Sequence, residues 1–197
     1  MVEKKFTYLL ITFFFFTTII QGQEEESSQF PETRILFIFD ASQSMYGMWE
    51  ESRKIKIARE YLTTLVDSLE NLGNIQMGLR VYGHQSEVPP QDCNDTRLEV
   101  PIGKGTAKDI RHTLKYLRPK GTTPIAQSLE KAKNDFPSCK NCRNIVILIT
   151  DGREACEGDP CEVSKELQKA GIILKPFIIG IGLDPSFTET FECRSEE

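Results

Sequence analysis

The chain has 197 residues, with 24 lysines and arginines against 29 aspartates and glutamates, and its formal net charge is −5. This length suits one domain plus a targeting segment. The balance is acidic and no basic block is present, so we expect no nucleic-acid partner.

The start of the chain differs in composition from the rest. Two lysines precede an apolar stretch over 6–20, and Gly22 offers a small residue for cleavage. This pattern is typical of a secretory signal peptide, since a membrane span needs about 20 apolar residues. We predict a signal peptide over 1–22, a flexible acidic leader over 23–33 and one domain over 34–197. The protein would then be secreted, periplasmic or on the cell surface, and would meet a membrane only if the signal stays uncleaved.

Six cysteines are an even number in a chain predicted to be exported, which favours disulfides. Six cysteines allow 15 connectivities, and the sequence does not choose among them. Pairing Cys139 with Cys142 and Cys156 with Cys161 would close the shortest loops at the lowest entropic cost. A zinc site is the alternative, but the sequence has only two histidines and one Cys-x-x-Cys spacing. The cysteines are Cys93, Cys139, Cys142, Cys156, Cys161 and Cys193.

The first predicted elements form a strand, a helix and a hairpin. The unbroken apolar run over 34–39 predicts a strand buried on both faces. Helical periodicity follows over 52–72 and ends at Gly73. Apolar and polar residues alternate over 75–82, which predicts a strand with one face less buried. The strand over 97–102 follows too closely for a helical crossover, so these two should form an antiparallel hairpin at the sheet edge.

Two helices are predicted next. Thr106 resembles the first residue of a capping box, with Asp109 in place of glutamate, and opens a helix through about Leu117. Thr123 and Pro124 have the residue types of an N-cap and first helical position. That second helix should stop before the proline at position 137.

The last elements complete an α/β alternation. An apolar strand over 144–149 is followed by Asp159 and Pro160, which suit an N-cap and first helical turn. That helix should run to Ala170, and a third apolar strand is predicted over 177–181. Alternating strands and helices predict a Rossmann-like, doubly wound, mostly parallel sheet with one antiparallel edge strand.

Oxygen-bearing side chains follow the two most apolar strands. Asp40, Ser42 and Ser44 come after the first, Asp151 comes after the other, and the threonines at 122–123 lie in a loop between helices. Ligands of open α/β sheets bind beyond the carboxyl ends of strands. The two most apolar strands should be central neighbours, so Asp40 and Asp151 should meet, and a divalent cation would relieve their repulsion. Hard oxygen donors suit Mg²⁺, Mn²⁺ or Ca²⁺.

Three motifs together resemble the metal-ion-dependent adhesion site, or MIDAS, of von Willebrand factor type A domains. They are Asp40-x-Ser42-x-Ser44, Gly121-Thr122-Thr123-Pro124 and Thr150-Asp151-Gly152, and the resemblance covers about 34–184. It implies a sheet of order 3-2-1-4-5-6 and a Mg²⁺ or Mn²⁺ ion that takes its last ligand from an acidic residue of a partner protein. Thr123 matches the threonine of the family best, and Thr122 is the alternative. The implied metal ligands are Asp40, Ser42, Ser44, Thr123 and Asp151.

Two further strings resemble a bacterial, exported subgroup, and two features depart from the family pattern. The strings are Arg80-Val81-Tyr82-Gly83-His84 and Gly158-Asp159-Pro160-Cys161. Gln43 stands where the family usually has glycine, and its side chain could crowd the metal loop. The chain also ends soon after the third apolar strand. We therefore expect the fold to lack its last strand and helix, with 188–193 as a helix remnant and an exposed apolar edge over 177–181.

Several residues near these motifs have two interpretations. Tyr46, Met48 and Trp49 either contact a partner or pack over the sheet end, and packing is favoured because Trp is largely buried on average. His84 has no acid or nucleophile nearby in sequence, so a structural role is expected. The charged pair over 153–154 is expected to be solvated rather than to contact a partner.

The sequence thus predicts an exported, divalent-metal-dependent protein-binding module for adhesion or assembly, and not an enzyme. One alternative is a Mg²⁺-dependent hydrolase with Asp40 as nucleophile. Such chemistry requires a second acid or base and a basic clamp on phosphate, and the loop after Asp40 has no basic residue. The other alternative is a metal-free structural domain on the cell surface.

Overall fold

A five-stranded sheet with helices on both faces forms the part of the chain that the computed structural model describes, residues 32–152 and 154–178. The predicted signal peptide, most of the leader and the predicted helix remnant over 188–193 lie outside these residues. The sheet strands are β1 (Glu32–Asp40), β4 (Ile75–Tyr82), β5 (Thr96–Gly103), β6 (Cys142–Thr150) and β7 (Ile172–Ile178), while β2 (Met48–Trp49) and β3 (Ser52–Arg53) form a small hairpin. The helices are α1 (Lys54–Glu70), α2 (Ala107–Tyr116), α3 (Ile125–Ala132) and α4 (Pro160–Lys169).

The strand order confirms the predicted fold class. The sheet runs β5-β4-β1-β6-β7. The strands β4, β1, β6 and β7 are parallel, and β5 pairs antiparallel with β4 at one edge. Numbered by sheet strand in chain order, this arrangement is 3-2-1-4-5. The sixth position of the expected order falls beyond residue 178, outside the described residues.

The first strand lies at the centre of the sheet, as its unbroken apolar run predicts. Every side chain from Ile35 to Phe39 is at most 5% exposed. Phe37 and its odd-numbered neighbours pack with α1 and α2, and Leu36 and Ile38 pack with α3 and α4. Two hydrophobic layers, one on each face, therefore hold β1 and fix where its carboxyl end lies.

The prediction of a less buried face on β4 is wrong. Gly78 and Arg80 are both buried, because that face lies under α3 and the segment after it. The Arg80 guanidinium makes two 2.7 Å hydrogen bonds to the Asp135 carboxylate, and both side chains are less than 10% exposed. A charged residue in the alternation thus marks a buried ion pair here and not a solvated face.

The last described strand begins five residues earlier than predicted. β7 starts at Ile172 and pairs with β6 along its whole length. Pro176 lies inside the strand, opposite Leu148, and not at its start. A proline is tolerated there because β7 is an edge strand of the described sheet. Only the first two residues of the predicted strand over 177–181 are described.

Helix ends follow the predicted chemistry in one case and depart from it in another. Asp159 accepts a hydrogen bond from Cys161 N at 2.8 Å and caps α4, which confirms that prediction. The capping box at Thr106 is wrong, since its hydroxyl donates to Met77 O at 2.7 Å and holds the helix against β4. Within the described residues no helix combines the length and apolar character that crossing a membrane requires.

Two disulfides are described, and one of them differs from the pairings of lowest loop entropy. Cys139 pairs with Cys142, which is one of those two local pairings. Cys156 pairs with Cys93 and not with Cys161. The loops after β4 and β6 meet at the same end of the sheet, where the Gln91 amide donates to Ala155 O. The contact between these distant segments therefore favours the long-range pair, although a local pair would close a shorter loop at a lower entropic cost.

Candidate functional site

The loops that carry the predicted site meet at the carboxyl ends of the parallel strands. β1 ends at Asp40 and its neighbour β6 ends at Thr150, with Asp151 directly after it. Tyr82, the last residue of β4, lies opposite Asp40 on the other side. Parallel neighbours end at the same edge, so the register of the sheet brings the two carboxylates together.

A glycine permits the close approach of three segments at this edge. Gly83 has a φ of +69°, a region that favours glycine. A Cβ atom there would lie 2.6 Å from Thr122 O and 2.7 Å from Ser42 Cα. Gln43 N in turn donates to Gly121 O at 2.9 Å. The serine loop and the threonine loop are therefore held together by backbone contacts.

The predicted ligands around the first strand form one chain of hydrogen bonds. The hydroxyl oxygens of Ser42 and Ser44 lie 3.0 Å apart, and Ser44 donates to Asp151 Oδ1 at 2.7 Å. Asp40 Oδ1 accepts from Ser42 N at 2.7 Å. Asp40, Ser42 and Asp151 are buried, while Ser44 is exposed. The cluster is thus enclosed by the protein and opens to solvent at Ser44.

The second oxygen of Asp40 is held by two residues of the quoted motifs that were not predicted to take part in the site. Thr150 Oγ1 donates to Asp40 Oδ2 at 2.7 Å, and the Tyr82 hydroxyl donates to Thr150 Oγ1 at 3.0 Å. Burial, together with the negative charge of Asp151, raises the pKa of Asp40 to about 6. Both oxygens of Asp40 therefore accept hydrogen bonds from the chain. Its charged form is nevertheless disfavoured by burial and by the neighbouring Asp151.

A lysine next to the carboxylates was not predicted from the sequence. Lys54 Nζ lies 2.7 Å from Asp151 Oδ2, and the side chains are 20% and 0% exposed. Lys54 is the first residue of α1, which begins directly after the β2–β3 hairpin. The hairpin turns the chain back to the carboxyl ends of the strands, which we call the rim. Helical periodicity alone does not reveal this path. An ammonium group therefore offsets the charge of the acidic pair.

The two candidate threonines have different surroundings. A Cβ on Gly152 would lie 3.9 Å from Thr123 Oγ1 and 3.8 Å from Ser44 Oγ, so these hydroxyls flank the same point. The Thr122 hydroxyl instead accepts from the Gln91 amide at 3.4 Å. Both threonines are buried. The placement favours Thr123 over Thr122 as the hydroxyl on the side of Asp151.

Glu154 has a role that neither sequence interpretation included. Its carboxylate accepts from Ala126 N at 2.6 Å and from Cys156 N at 2.8 Å. Glu154 thus caps the first turn of α3 from a different loop, and Thr123 does not act as the N-cap. Arg153, the other half of the predicted solvated pair, lies outside the described residues.

The residues after Ser44 form an exposed surface, which contradicts the prediction that they pack over the sheet. Tyr46, Met48 and Trp49 are 42%, 60% and 39% exposed. Met45 is fully buried instead and fills the core position beneath the loop. Gln43 is also exposed, so its side chain is directed away from the buried oxygens rather than crowding them.

His84 lies beneath the rim in a setting that suits its predicted structural role. Its Nε2 is 2.6 Å from Glu99 Oε1, and its Nδ1 is 3.8 Å from Asp95 Oδ1. The imidazole is 8% exposed. It links β5 to the loop before it and takes no part in the oxygen cluster.

The donor set around Asp40 suits a hard cation. Within 32–152 and 154–178, no three His, Cys, Asp or Glu side chains gather in a way that could hold a metal ion. Any site here would therefore use hydroxyls beside two carboxylates. Ser42, Ser44 and Asp151 already lie within hydrogen-bonding distance of one another, and Mg²⁺ and Mn²⁺ prefer such oxygens. Two buried carboxylates with one ammonium also leave negative charge to be offset.

Known proteins share this fold. Residues 35–190 match the family model of the von Willebrand factor type A domain. Uncharacterized protein YwmD of Bacillus subtilis (strain 168) is 30% identical over 158 residues, which cover 78% of this chain and 70% of YwmD.

Two solved structures have the same fold and carry metal ions. Proximal thread matrix protein 1 from the mussel byssus, with a zinc-occupied MIDAS motif, has a TM-score of 0.63 at 20% identity over 81% of this chain. Manganese-loaded TRAP protein of Plasmodium vivax has a TM-score of 0.58 at 24% identity over 85% of this chain. The matches cover 39% and 65% of those two chains, less than two thirds of each.

Proposed function

The chain belongs to the von Willebrand factor type A domain family, and we propose that it is an exported module that binds a partner protein through a divalent cation. One observation carries this proposal. Two buried carboxylates, Asp40 and Asp151, lie at the open end of the sheet and are linked through the backbone N–H of Ser42 and the hydroxyls of Ser42 and Ser44. An arrangement of this kind is costly without positive charge, and a cation would stabilise it.

Each predicted ligand has a role in this proposal. Ser42, Ser44, Thr123 and Asp151 would hold the metal directly, and Asp40 would act through water because its oxygens already accept hydrogen bonds from Ser42 N and Thr150. When bound, Mg²⁺ or Mn²⁺ supplies a positive charge that accepts an oxygen ligand from outside the chain. The exposed side of Ser44 is where an aspartate or glutamate of the partner would enter.

Related structures support the choice of a divalent ion. The byssus protein has zinc in its MIDAS motif, and TRAP is loaded with manganese. Both are less than 25% identical to this chain, so the identity of its own ion rests on its oxygen donors. Those donors suit Mg²⁺ or Mn²⁺. Export is supported by the disulfides Cys93–Cys156 and Cys139–Cys142, which form in oxidising compartments.

We propose that the site binds and does not catalyse. A hydrolase that used Asp40 as nucleophile would need one carboxylate oxygen free to attack. Asp40 is fully buried, and both of its oxygens accept hydrogen bonds. Lys54 supplies a basic group at the rim, but it contacts Asp151. The geometry therefore suits coordination better than nucleophilic attack.

Thermal unfolding in the presence and absence of Mg²⁺ tests the metal site. A ligand at 100 times its dissociation constant stabilises the native state by about 2.7 kcal/mol. We expect Mg²⁺ to stabilise the wild type, and Asp151→Asn or Asp40→Ala to abolish the effect. Asp67→Asn, at an exposed position on α1, is the matched control and should respond like the wild type. A wild type that does not respond, or an Asp40→Ala variant that responds fully, would overturn the assignment.

A further inference from the structure

A cavity of about 640 Å³ lies beside the candidate metal site, between the β2–β3 hairpin, the start of α1 and the segment after α2. We call this cavity the basic groove. The residues that line it include Tyr46, Met48, Arg53, Arg59, Lys115 and Arg118.

The basic groove has a charge opposite to that of the whole chain. The chain has a formal net charge of −5, yet the described lining contains five lysines and arginines and one carboxylate, that of Glu51. Within the described residues, Arg53, Lys115 and Arg118 form no ion pair. Positive charge in the lining thus exceeds negative charge, and three of its cations are not paired with a carboxylate there, so the groove attracts anions.

Arg59 adds a donor that the protein leaves unused. Its guanidinium donates to Leu117 O through Nη2, while its Nε is buried and has no hydrogen-bond partner among the residues that the structure describes. Burial also lowers the pKa of Arg59 below its usual value. A buried donor without a partner is unfavourable, and small movements that let an anion reach it would remove that cost.

Exposed apolar side chains stand among these cations. Tyr46, Met48 and Tyr116 are 42%, 60% and 62% exposed. The Arg53 guanidinium lies 5.4 Å from the centre of the Tyr46 ring, and Lys115 Nζ lies 5.5 Å from that of Tyr116. Aromatic residues, methionine and arginine are enriched where proteins bind proteins, so this mixture favours a polypeptide ligand.

The basic groove lies beside the loop that carries part of the candidate metal site. Tyr46 is the last residue of the 3-10 helix that also contains Ser44, and Lys54 stands next to Arg53 in the chain. A second cavity of about 340 Å³ shares Tyr46 and Arg118 with the groove and is also lined by Gln43 and Lys120. One extended ligand could therefore contact both the groove and the rim.

We propose that the basic groove binds an acidic polypeptide segment of the same partner that the rim site binds. This inference rests on the proposed function, because it assigns the partner a carboxylate at the rim and further carboxylates along the groove. The tyrosines and Met48 would contact apolar residues between those carboxylates. The partner would thus be recognised over a stretch of chain and not by one residue.

The test uses a short fluorescent peptide of alternating glutamate and tyrosine, with a glutamine and tyrosine peptide as the uncharged probe. The groove variant is Lys115→Glu with Arg118→Glu, chosen because both side chains are exposed. The control is Lys165→Glu with Lys169→Glu, an exposed pair near the end of α4 that changes the net charge equally. Affinity is measured by fluorescence anisotropy in Mg²⁺ and in EDTA.

We expect the groove variant to bind the acidic peptide at least about tenfold more weakly than the control in both buffers, because two attractions become two repulsions. The wild type should bind the uncharged peptide more weakly than the acidic one.

Equal affinities of the groove variant and the control for the acidic peptide would overturn the proposal for the groove, and would not affect the proposal for the metal site. If the groove variant binds more weakly than the control but Mg²⁺ does not change the affinity of any variant, the result would support peptide binding in the groove and contradict the proposed metal-dependent function. Tighter binding of a single-stranded oligonucleotide than of the acidic peptide would show that the groove takes a different polyanion, and would overturn the proposal.

Discussion

Lys54 Nζ lies 2.7 Å from Asp151 Oδ2, so an ammonium group contacts one of the two buried carboxylates at the sheet end. Asp151 is fully buried in its side chain, and Asp40 beside it is fully buried as well. A divalent ion bound to Asp151 would share that oxygen with Lys54 or displace it. The lysine is therefore both a stabilising counter-charge and a competitor for the proposed metal.

Replacing Lys54 with methionine should separate these two effects. We expect Lys54→Met to bind Mg²⁺ at least about tenfold more tightly, because the competing positive charge is removed. Without metal the variant should lose roughly 2 kcal/mol of stability, less than the loss of about 3–5 kcal/mol for a fully buried pair, since Lys54 is partly exposed. Calorimetric titration and urea unfolding measure the two quantities. Lys56→Met, at an exposed neighbouring position, should change neither, and weaker Mg²⁺ binding by Lys54→Met would contradict the competition.

The two threonines of the loop before α3 should differ in their effect on metal binding. Thr123→Val removes a hydroxyl that flanks the same point as Ser44, so it should reduce or abolish the stabilisation by Mg²⁺. Thr122→Val removes a hydroxyl that accepts from Gln91 and should leave the stabilisation unchanged. Valine has nearly the shape of threonine, so both variants should fold. The reverse pattern would assign the ligand to Thr122.

The two described disulfides should contribute unequally to stability. Cys93 and Cys156 are 63 residues apart, whereas Cys139 and Cys142 are 3 apart. In the chain-entropy model the long loop stabilises by about 4 kcal/mol and the short one by about 2 kcal/mol or less. Urea unfolding of the two double alanine variants under oxidising conditions measures the difference. A larger loss for the short pair would show that chain entropy is not the main contribution.

Glu154 should give the protein a pH-dependent stability that glutamine removes. Burial raises the pKa of its carboxyl, although backbone N–H groups of Ala126 and Cys156 oppose the shift. The native state then binds the proton more tightly than the unfolded chain, so this contribution is present at low pH and is lost as the pH rises through the native pKa. The stability of the wild type minus that of Glu154→Gln should therefore fall as the pH rises above the ordinary titration range of a glutamate. Urea unfolding at several pH values measures it, and a difference that grows with pH would refute the direction.

Elements with one strong local signal could be predicted from the sequence. The apolar run of β1, the cap of α4 by Asp159 and the meeting of Asp40 with Asp151 follow from side-chain patterning and from the rule that parallel strands end together. The start of β7 could not be predicted, because Pro176 lies within the strand and only its edge position makes that acceptable.

Contacts between distant segments account for the rest of the differences. Lys54 reaches the site because a short hairpin, β2–β3, redirects the chain. Glu154 lies in the loop after β6 and caps α3, which begins at Ile125, far from it in sequence. Cys93 joins Cys156 because the loops after β4 and β6 converge. None of these partners has a local pattern, so only the folded arrangement identifies them.

The position of β1 has a mechanical consequence for the proposed binding of a partner. β1 is paired with parallel strands on both sides over nearly its whole length, and the serine loop leaves directly from its end. A tensile force applied at that loop along the strand would have to shear both ladders of hydrogen bonds at the same time. Peeling bonds one by one from an edge strand of the described sheet, such as β5, would require much less force. If the proposed partner binds at that loop, the domain would therefore resist a pull along β1.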